Sequence, residues 1–383
     1  MQTKQRWNLL SQAPKVFTDI IFRNRYDFEY DLMPCHTSNM PVAKRLNLLR
    51  AGVNVLYRNT KPWSWPLHMQ IELTNYCNLS CPVCPAGIGM MRRKSKAIDP
   101  VIFERLMNEV GRYPLTISLW GWGEPLLHPE LADILRIAQN SGTNIFLSTN
   151  GQNLNDDKVL QALIDYPPTY LIVCLDGLTD ETNTRFRVGA KLEPALYGVR
   201  ELAWMKREKG KKFPFLHFRY IVMKHNEHEL PELENFARKH QFDRLTIRTL
   251  SIIDAPDDKH NIMMPDDERF RAYEYSKGKR ISRDDFICQG AFIFPTVFAD
   301  GTVVCCCQDY NAQQPYGNIA DGTSFADIWW SKKAAKIRKT IKENLESFSF
   351  CRNCPYKDRP IHTCSIQYYD QKKQTEHSSV TAP

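Results

Sequence analysis

Between residues 68 and 250 the sequence alternates between strand-like and helix-like periods. Short apolar runs of strand character fall at 68–73, 115–119, 144–147, 170–175, 215–223 and 244–250. Helical stretches lie between them, over 99–112, 129–140, 156–165, 192–209 and 228–240. Asp99-Pro100 reads as an N-cap followed by proline at the first helical position. Alternation of this kind predicts a parallel sheet with right-handed crossovers. Six units suit a partial β/α barrel better than a closed eightfold one. Barrels carry their reactive groups in the loops at the C-terminal strand ends. Four such loops stand out: the cysteine run at 77–84, then 121–125, 148–151 and 176–177.

The chain has 383 residues, enough for one large or two ordinary domains. No apolar run reaches the roughly 20 residues of a bilayer span, and residues 1–15 lack the apolar core of a secretory signal. The expectation is a soluble cytoplasmic protein. Net charge is +8, of which +6 falls in residues 1–67, with ten Lys and Arg against four Asp and Glu. This is read as a solvated surface. No interleaved aromatic and basic pattern marks a nucleic-acid platform, so no nucleic-acid partner is expected.

Twelve cysteines need a reason. In a reducing cytoplasm close spacings argue for metal or iron–sulfur binding rather than disulfides. Ten fall in two groups, Cys77, Cys81 and Cys84, and Cys288, Cys305, Cys306, Cys307, Cys351, Cys354 and Cys364. Cys35 is isolated, and Cys174, in the apolar run from Leu171 to Val173, is expected to be a small buried core residue. The first group has the spacing C-x3-C-x2-C. Three thiolates this close hold three irons of a [4Fe–4S] cube and leave the fourth iron open to a ligand. A C-x2-C pair by itself more often means zinc. Residues 85–98 offer no fourth Cys or His, so a zinc site would have to borrow a distant ligand.

The spacing, placement and flanks of Cys77, Cys81 and Cys84 resemble the radical S-adenosylmethionine (SAM) superfamily, and the resemblance extends from about residue 68 to 355. Val83 stands where that family often has an aromatic residue. The resemblance implies a [4Fe–4S] cluster whose open iron is chelated by SAM, reductive cleavage of SAM to a 5′-deoxyadenosyl radical, and hydrogen-atom abstraction from a substrate. It also implies a SAM pocket. Gly123 and Glu124 match the turn that binds the methionyl amino group, although Trp122 replaces the family's glycine. Ser148 and Asn150 suit the ribose or carboxylate. Arg187 matches an arginine that approaches the SAM carboxylate, and Met223 is placed to lie near adenine or in the core.

Cys288, Cys306, Cys351 and Cys354, with Gly317-Asn318-Ile319 and Asp327-Ile328-Trp329, resemble the SPASM/Twitch modules of many radical SAM enzymes. The shortage of cysteines after Cys354 argues for one auxiliary [4Fe–4S] cluster. Its expected ligands are Cys288, Cys306, Cys351 and Cys354, with Cys305, Cys307 or Cys364 as replacements. A zinc ribbon-like site is the alternative. The expected organisation is an α/β chain: an N-terminal extension (1–67), a partial (β/α)6 TIM-like barrel (68–250), a linker or lid (251–285), a small cysteine-rich SPASM/Twitch module (286–365) and a disordered tail (366–383). The basic stretch 334–344 is read as a helix with a solvated charged face. The function expected from the resemblance is a dehydrogenase-type oxidoreductase. It would act on a carbohydrate, aminocyclitol or related small molecule, and a reductase such as flavodoxin or ferredoxin would supply electrons. A peptide-modifying or protein-maturating enzyme, or an epimerase, is the alternative. A non-catalytic iron–sulfur or zinc protein that binds an anionic partner is the competitor from another class.

Overall fold

The computed structural model describes residues 3–250, 263–271, 274–276, 279–281, 286–352, 354–357 and 368–370. Its N-terminal part is a helix, α1 (Thr3–Ile21), a hairpin of β1 (Arg25–Tyr30) and β2 (Met33–Ser38), and a second helix, α2 (Val42–Tyr57). Six parallel strands follow in sequential order: β3 (His68–Ile71), β4 (Thr116–Ser118), β5 (Asn144–Thr149), β6 (Tyr170–Cys174), β7 (Phe215–Val222) and β8 (Arg244–Thr249). The crossovers carry α3 (Pro100–Val110), α4 (Leu131–Gln139), α5 (Asp157–Asp165), α6 (Asp180–Thr184), α7 (Leu192–Glu208) and α8 (Leu233–Lys239). This is the partial barrel read from the sequence. Asp99 caps α3 through the amide of Val101, and Pro100 fills the first turn, where its missing N–H costs nothing.

Strand alternation gives the barrel two unlike faces. Met69, Ile71, Ile117, Ile145, Leu147, Leu171, Val173, Leu216, Phe218, Tyr220, Val222, Leu245 and Ile247 are buried in one core, beneath the helices. The opposite phase carries His68, Gln70, Ser118, Ser148, Cys174, His217, Arg219 and Arg248 into the lumen. The β1–β2 hairpin fills much of that lumen. Met33 and Cys35 pack with Phe146, Tyr170 and Ile172, and the Tyr170 hydroxyl donates to the Pro34 carbonyl at 2.8 Å. Residues 1–67 therefore contribute an inner wall of the barrel.

Downstream, β9 (Glu274–Ser276) and β10 (Lys279–Ile281) form a two-stranded sheet within the expected linker; much of 251–285 lies outside the described residues. After α9 (Gly290–Ile293), β11 (Thr296–Val297) pairs in parallel with β3, and β12 (Thr302–Val304) and β13 (Gly317–Asn318) continue antiparallel. The cysteine-rich segment thus extends the barrel sheet. Its helices are α10 (Phe325–Trp329), α11 (Lys332–Glu343) and α12 (Ser349–Arg352). The Glu109 carboxylate on α3 accepts from the Phe325 and Ala326 amides at 2.8 and 2.7 Å and so anchors α10 to the barrel.

Two expectations need correction. The charges of α11 are not all solvated: Arg338 is fully buried, stacked 3.9 Å from the Trp329 ring, and donates to the carbonyls of Trp329, Ala291 and Thr60. Within 366–383, β14 (Tyr368–Asp370) pairs antiparallel with β8, so those three residues are ordered on the sheet edge; the rest of that range lies outside the described residues.

Candidate radical SAM site

The cysteine loop leaves the C-terminal end of β3 and returns at α3. Gly123 brings the loop after β4 against it. A Cβ at that position would lie 2.2 Å from the Thr74 carbonyl oxygen, so only glycine permits the approach. The Glu124 amide donates to the Tyr76 carbonyl at 2.9 Å, and the Thr74 hydroxyl donates to the Glu124 carbonyl at 2.7 Å. These bonds fix the backbone immediately before Cys77.

Glu124 is already engaged within the protein. Its side chain is buried and already accepts from the Thr149 hydroxyl at 2.7 Å, the Asn150 amide at 2.8 Å and the Leu126 amide at 3.0 Å. Three of about four acceptor positions are used. The carboxylate ties the β4 and β5 loops together rather than offering both oxygens to an ammonium group. Burial raises its pKa, and the three donors oppose that rise. Asn150 then reaches the cysteines: its Nδ2 donates to Asn78 Oδ1 at 2.8 Å and lies 3.7 Å from Cys77 Sγ.

Arg187 reaches the same loop from the far side. Its Nε donates to Asp176 Oδ2 at 2.6 Å, in an ion pair whose carboxylate is fully buried. Burial opposes the Arg187 charge, but Asp176, Cys81 and Cys174 outweigh it and raise the pKa. Val83 of the cysteine loop packs with Phe186, Met223, Leu250 and Met264, so Met223 belongs to an apolar cluster touching that loop. Ser148 lies on the lumen phase of β5, its hydroxyl 3.4 Å from Cys174 Sγ. Cys174 is therefore not the core residue expected. It is only partly buried and lies in the lumen, within charge range of Arg187 and Arg219.

The donor sets fit iron–sulfur clusters. Burial pushes the Cys77 thiol up to about 11, and Glu124, Cys81 and Cys84 push the same way. Burial also raises Cys81, with Arg187 opposing and Cys84 adding to the rise. In the second group Cys288, Cys306, Cys351 and Cys354 all lie within charge range of one another. Burial pushes Cys288 up to about 11 and Cys354 up to about 12. Crowded thiols of this kind suit a metal centre, whose positive charge would reverse such shifts.

Of the replacement ligands, Cys305 is buried in the main core and lies within charge range of Cys288, Cys306 and Cys351, Cys307 lies beside Cys306, and Cys364 falls outside the described residues.

Sequence reasoning missed the group that joins the two cysteine sites. Glu72, fully buried one residue past β3, accepts from Arg93 Nη1 and Nη2 at 2.6 and 2.8 Å. It also accepts from the amides of Trp122 at 3.2 Å and Ala299 at 3.1 Å. Trp122, in the family's glycine position, donates its indole N–H to the Cys307 carbonyl at 2.9 Å. One carboxylate thus holds the cysteine loop, the Gly123 loop and the strand leading to Cys306. The inward phase of His68, Gln70 and Glu72 was the available signal.

Residues 71–237 match the model of the radical SAM superfamily, and residues 288–355 match that of an iron–sulfur cluster-binding domain, SPASM. The tungsten-containing aldehyde ferredoxin oxidoreductase cofactor-modifying protein of Pyrococcus furiosus is 22% identical over 323 residues, 76% of this chain and 88% of that protein. The PqqA peptide cyclase of Gluconobacter oxydans is 22% identical over 322 residues, 79% of this chain and 86% of the relative. The fold resembles that of SuiB from Streptococcus suis, solved bound to S-adenosylmethionine, with a TM-score of 0.57 and 16% identity over 81% of this chain and 76% of that one. The chain belongs to the radical SAM superfamily and carries a C-terminal SPASM domain, with the SAM-binding [4Fe–4S] and auxiliary iron–sulfur cofactors that these imply.

Proposed function

We propose that the protein is a radical SAM oxidoreductase that modifies a peptide or cofactor precursor whose reacting group enters the barrel lumen between the two cysteine sites. One observation carries this reading. The lumen phase of the strands is polar and reaches the cysteine loop: Ser148 Oγ lies 3.4 Å from Cys174 Sγ, Cys174 pairs across the strands with Arg219, and Tyr30 Oη lies 2.8 Å from Ser118 Oγ, while Arg187 is held by Asp176 beside that loop. Cys77, Cys81 and Cys84 would hold the SAM-binding cluster, and Cys288, Cys306, Cys351 and Cys354 the auxiliary one. When bound, such clusters with SAM would supply radical chemistry at the first site and an electron acceptor at the second.

The chain's own residues position and shield the reaction. Gly123 and Glu124 shape the loop beside Cys77, Asn150 orients it, and Arg187 offers a guanidinium toward a carboxylate near Cys81. The hairpin excludes water from the lumen. The names of the relatives, a cofactor-modifying protein and a peptide cyclase, favour these substrates over the carbohydrate or aminocyclitol expected from the cluster count. Electrons would come from a reductase such as flavodoxin or ferredoxin.

Anaerobically reconstituted protein with dithionite should convert SAM to 5′-deoxyadenosine and contain about eight irons. Cys77→Ala should abolish cleavage, whereas Cys351→Ala should retain cleavage and lose product. Deuterium transfer from labelled peptides, cofactor precursors or sugars into 5′-deoxyadenosine then identifies the substrate. Intact clusters without SAM cleavage would refute the enzyme reading.

A further inference from the structure

The tip of the β1–β2 hairpin is built in an unusual way. Asp31 and Leu32 both sit in the left-handed region, at φ 53° and 66°. Two-residue hairpin turns with positive φ favour Asn-Gly or Asp-Gly, so leucine in the second place stores strain. The strained turn carries the Asp31 carboxylate into the lumen. There one oxygen meets the Arg219 guanidinium and the other meets that of Arg248. Both arginines are largely buried, with side-chain exposures of 14% and 13%. They come from adjacent strands, where Ile221 pairs with Arg248 and Cys174 pairs with Arg219. The tip is further fixed by the Tyr30 hydroxyl, 2.8 Å from Ser118 Oγ.

Two guanidinium groups directed at the two oxygens of one carboxylate make an oxyanion clamp. The clamp is placed where the proposed function puts substrate: Arg219 pairs across the strands with Cys174 on the lumen phase, and Cys174 Sγ lies 3.4 Å from Ser148 Oγ. We propose that Arg219 and Arg248 form the subsite for a substrate carboxylate, and that Asp31 occupies it until substrate displaces the hairpin tip. This inference rests on the lumen being the substrate site. Charge complementarity selects the ligand class, and the strained turn lowers the cost of withdrawing the tip.

Cys174 reports on the subsite. In anaerobically reconstituted full-length protein the ligating thiols are covered by the clusters. Iodoacetate and iodoacetamide then alkylate the same sulfur, with loss of iodide, but only iodoacetate carries a carboxylate. Mass spectrometry measures both rates at Cys174. Asp31→Asn should raise the iodoacetate-to-iodoacetamide ratio at least tenfold over the parent protein. Adding Arg219→Gln and Arg248→Gln should return it to the parent value. Acetate should protect the Asp31→Asn protein at least as well as inorganic phosphate does.

Equal acceleration by both reagents would make Asp31 a plain structural latch and overturn the proposal. Protection by phosphate alone would overturn the carboxylate assignment. If Asp31→Asn does not fold, Tyr30→Phe loosens the same tip and should move the ratio in the same direction; no change overturns the proposal. SAM cleavage by the same preparations is scored separately. Its loss with the labelling preference intact refutes the function and leaves the anion subsite standing.

Discussion

Replacing Glu72 tests whether one carboxylate holds the two cysteine sites together. Glu72→Ala leaves a guanidinium that is only 5% exposed beside an empty space, and removes the acceptor of two backbone amides. Breaking a buried pair from one side costs about 3–5 kcal/mol, and each orphaned amide adds about 1–3 kcal/mol if it cannot relax. Arg93 keeps its bond to the Tyr310 carbonyl at 2.6 Å and its stacking 3.8 Å from the Phe298 ring, which holds the total near the lower figure, about 3–5 kcal/mol. Glu72→Gln keeps one acceptor oxygen and turns an amide donor toward Arg93, so its loss should be intermediate. The double variant Glu72→Leu with Arg93→Met removes both charges and should recover much of the loss. Urea unfolding of the reduced apoprotein, followed by tryptophan fluorescence, measures these differences because Trp122 sits in the cluster. Hydrogen exchange over 296–304 should rise in Glu72→Ala more than exchange over β7. The reasoning is refuted if Glu72→Ala stays within about 1 kcal/mol of the parent, or if the double variant is as unstable as Glu72→Ala.

Further outcomes follow from other sites. Lys44 is buried, and burial lowers its pKa from 10.5 to about 8. The unfolded chain therefore holds one more proton between pH 8 and 10.5, and stability gains from this group as pH rises through that window. Lys44→Met should stabilise the protein at pH 7 by up to about 3 kcal/mol, with a gain that shrinks toward pH 10, as thermal melts at both pH values would read. Arg338→Met should cost about 2–4 kcal/mol by orphaning buried carbonyls, and iron analysis should fall from about eight toward about four per chain as the auxiliary site loosens. Gly123→Ala should weaken SAM binding in equilibrium dialysis at least tenfold, because its Cβ would collide with the Thr74 carbonyl; unchanged affinity would contradict the role given to that turn.

The barrel was legible because each of its strands is set by local alternation. The observed β7, Phe215–Val222, differs by one residue from the 215–223 read from sequence. The cysteine spacings carried the metal chemistry for the same reason: ligands three or four positions apart need no knowledge of the fold. Side chains that act across the fold were not legible. Glu72 bonds to groups 21, 50 and 227 positions away, and nothing near it in sequence marks those partners. The bonds that Thr149 and Asn150 make to Glu124 were not legible because both partners arrive from the next barrel unit. The hairpin left a faint trace, with Tyr26, Phe28 and Tyr30 alternating against Arg25, Asp27 and Glu29. Its turn, Asp31-Leu32, lacks the glycine that marks such loops.

The pairing of β11 with β3 has a mechanical consequence. The strand that launches the first cysteine loop is bonded through its own backbone to β11, and β11 is bonded in turn to β12, which ends at Cys305–Cys307. A sheet is stiff along its hydrogen bonds, so the gap between the two cysteine sites is set by strand spacing and not by a tether. Under the proposed function an electron would cross that gap; tunnelling falls steeply with distance, and a fixed gap would give one transfer rate instead of a spread of rates. The lumen, with its hairpin and its arginines, is then free to change for new substrates while the span between the two cysteine sites stays the same.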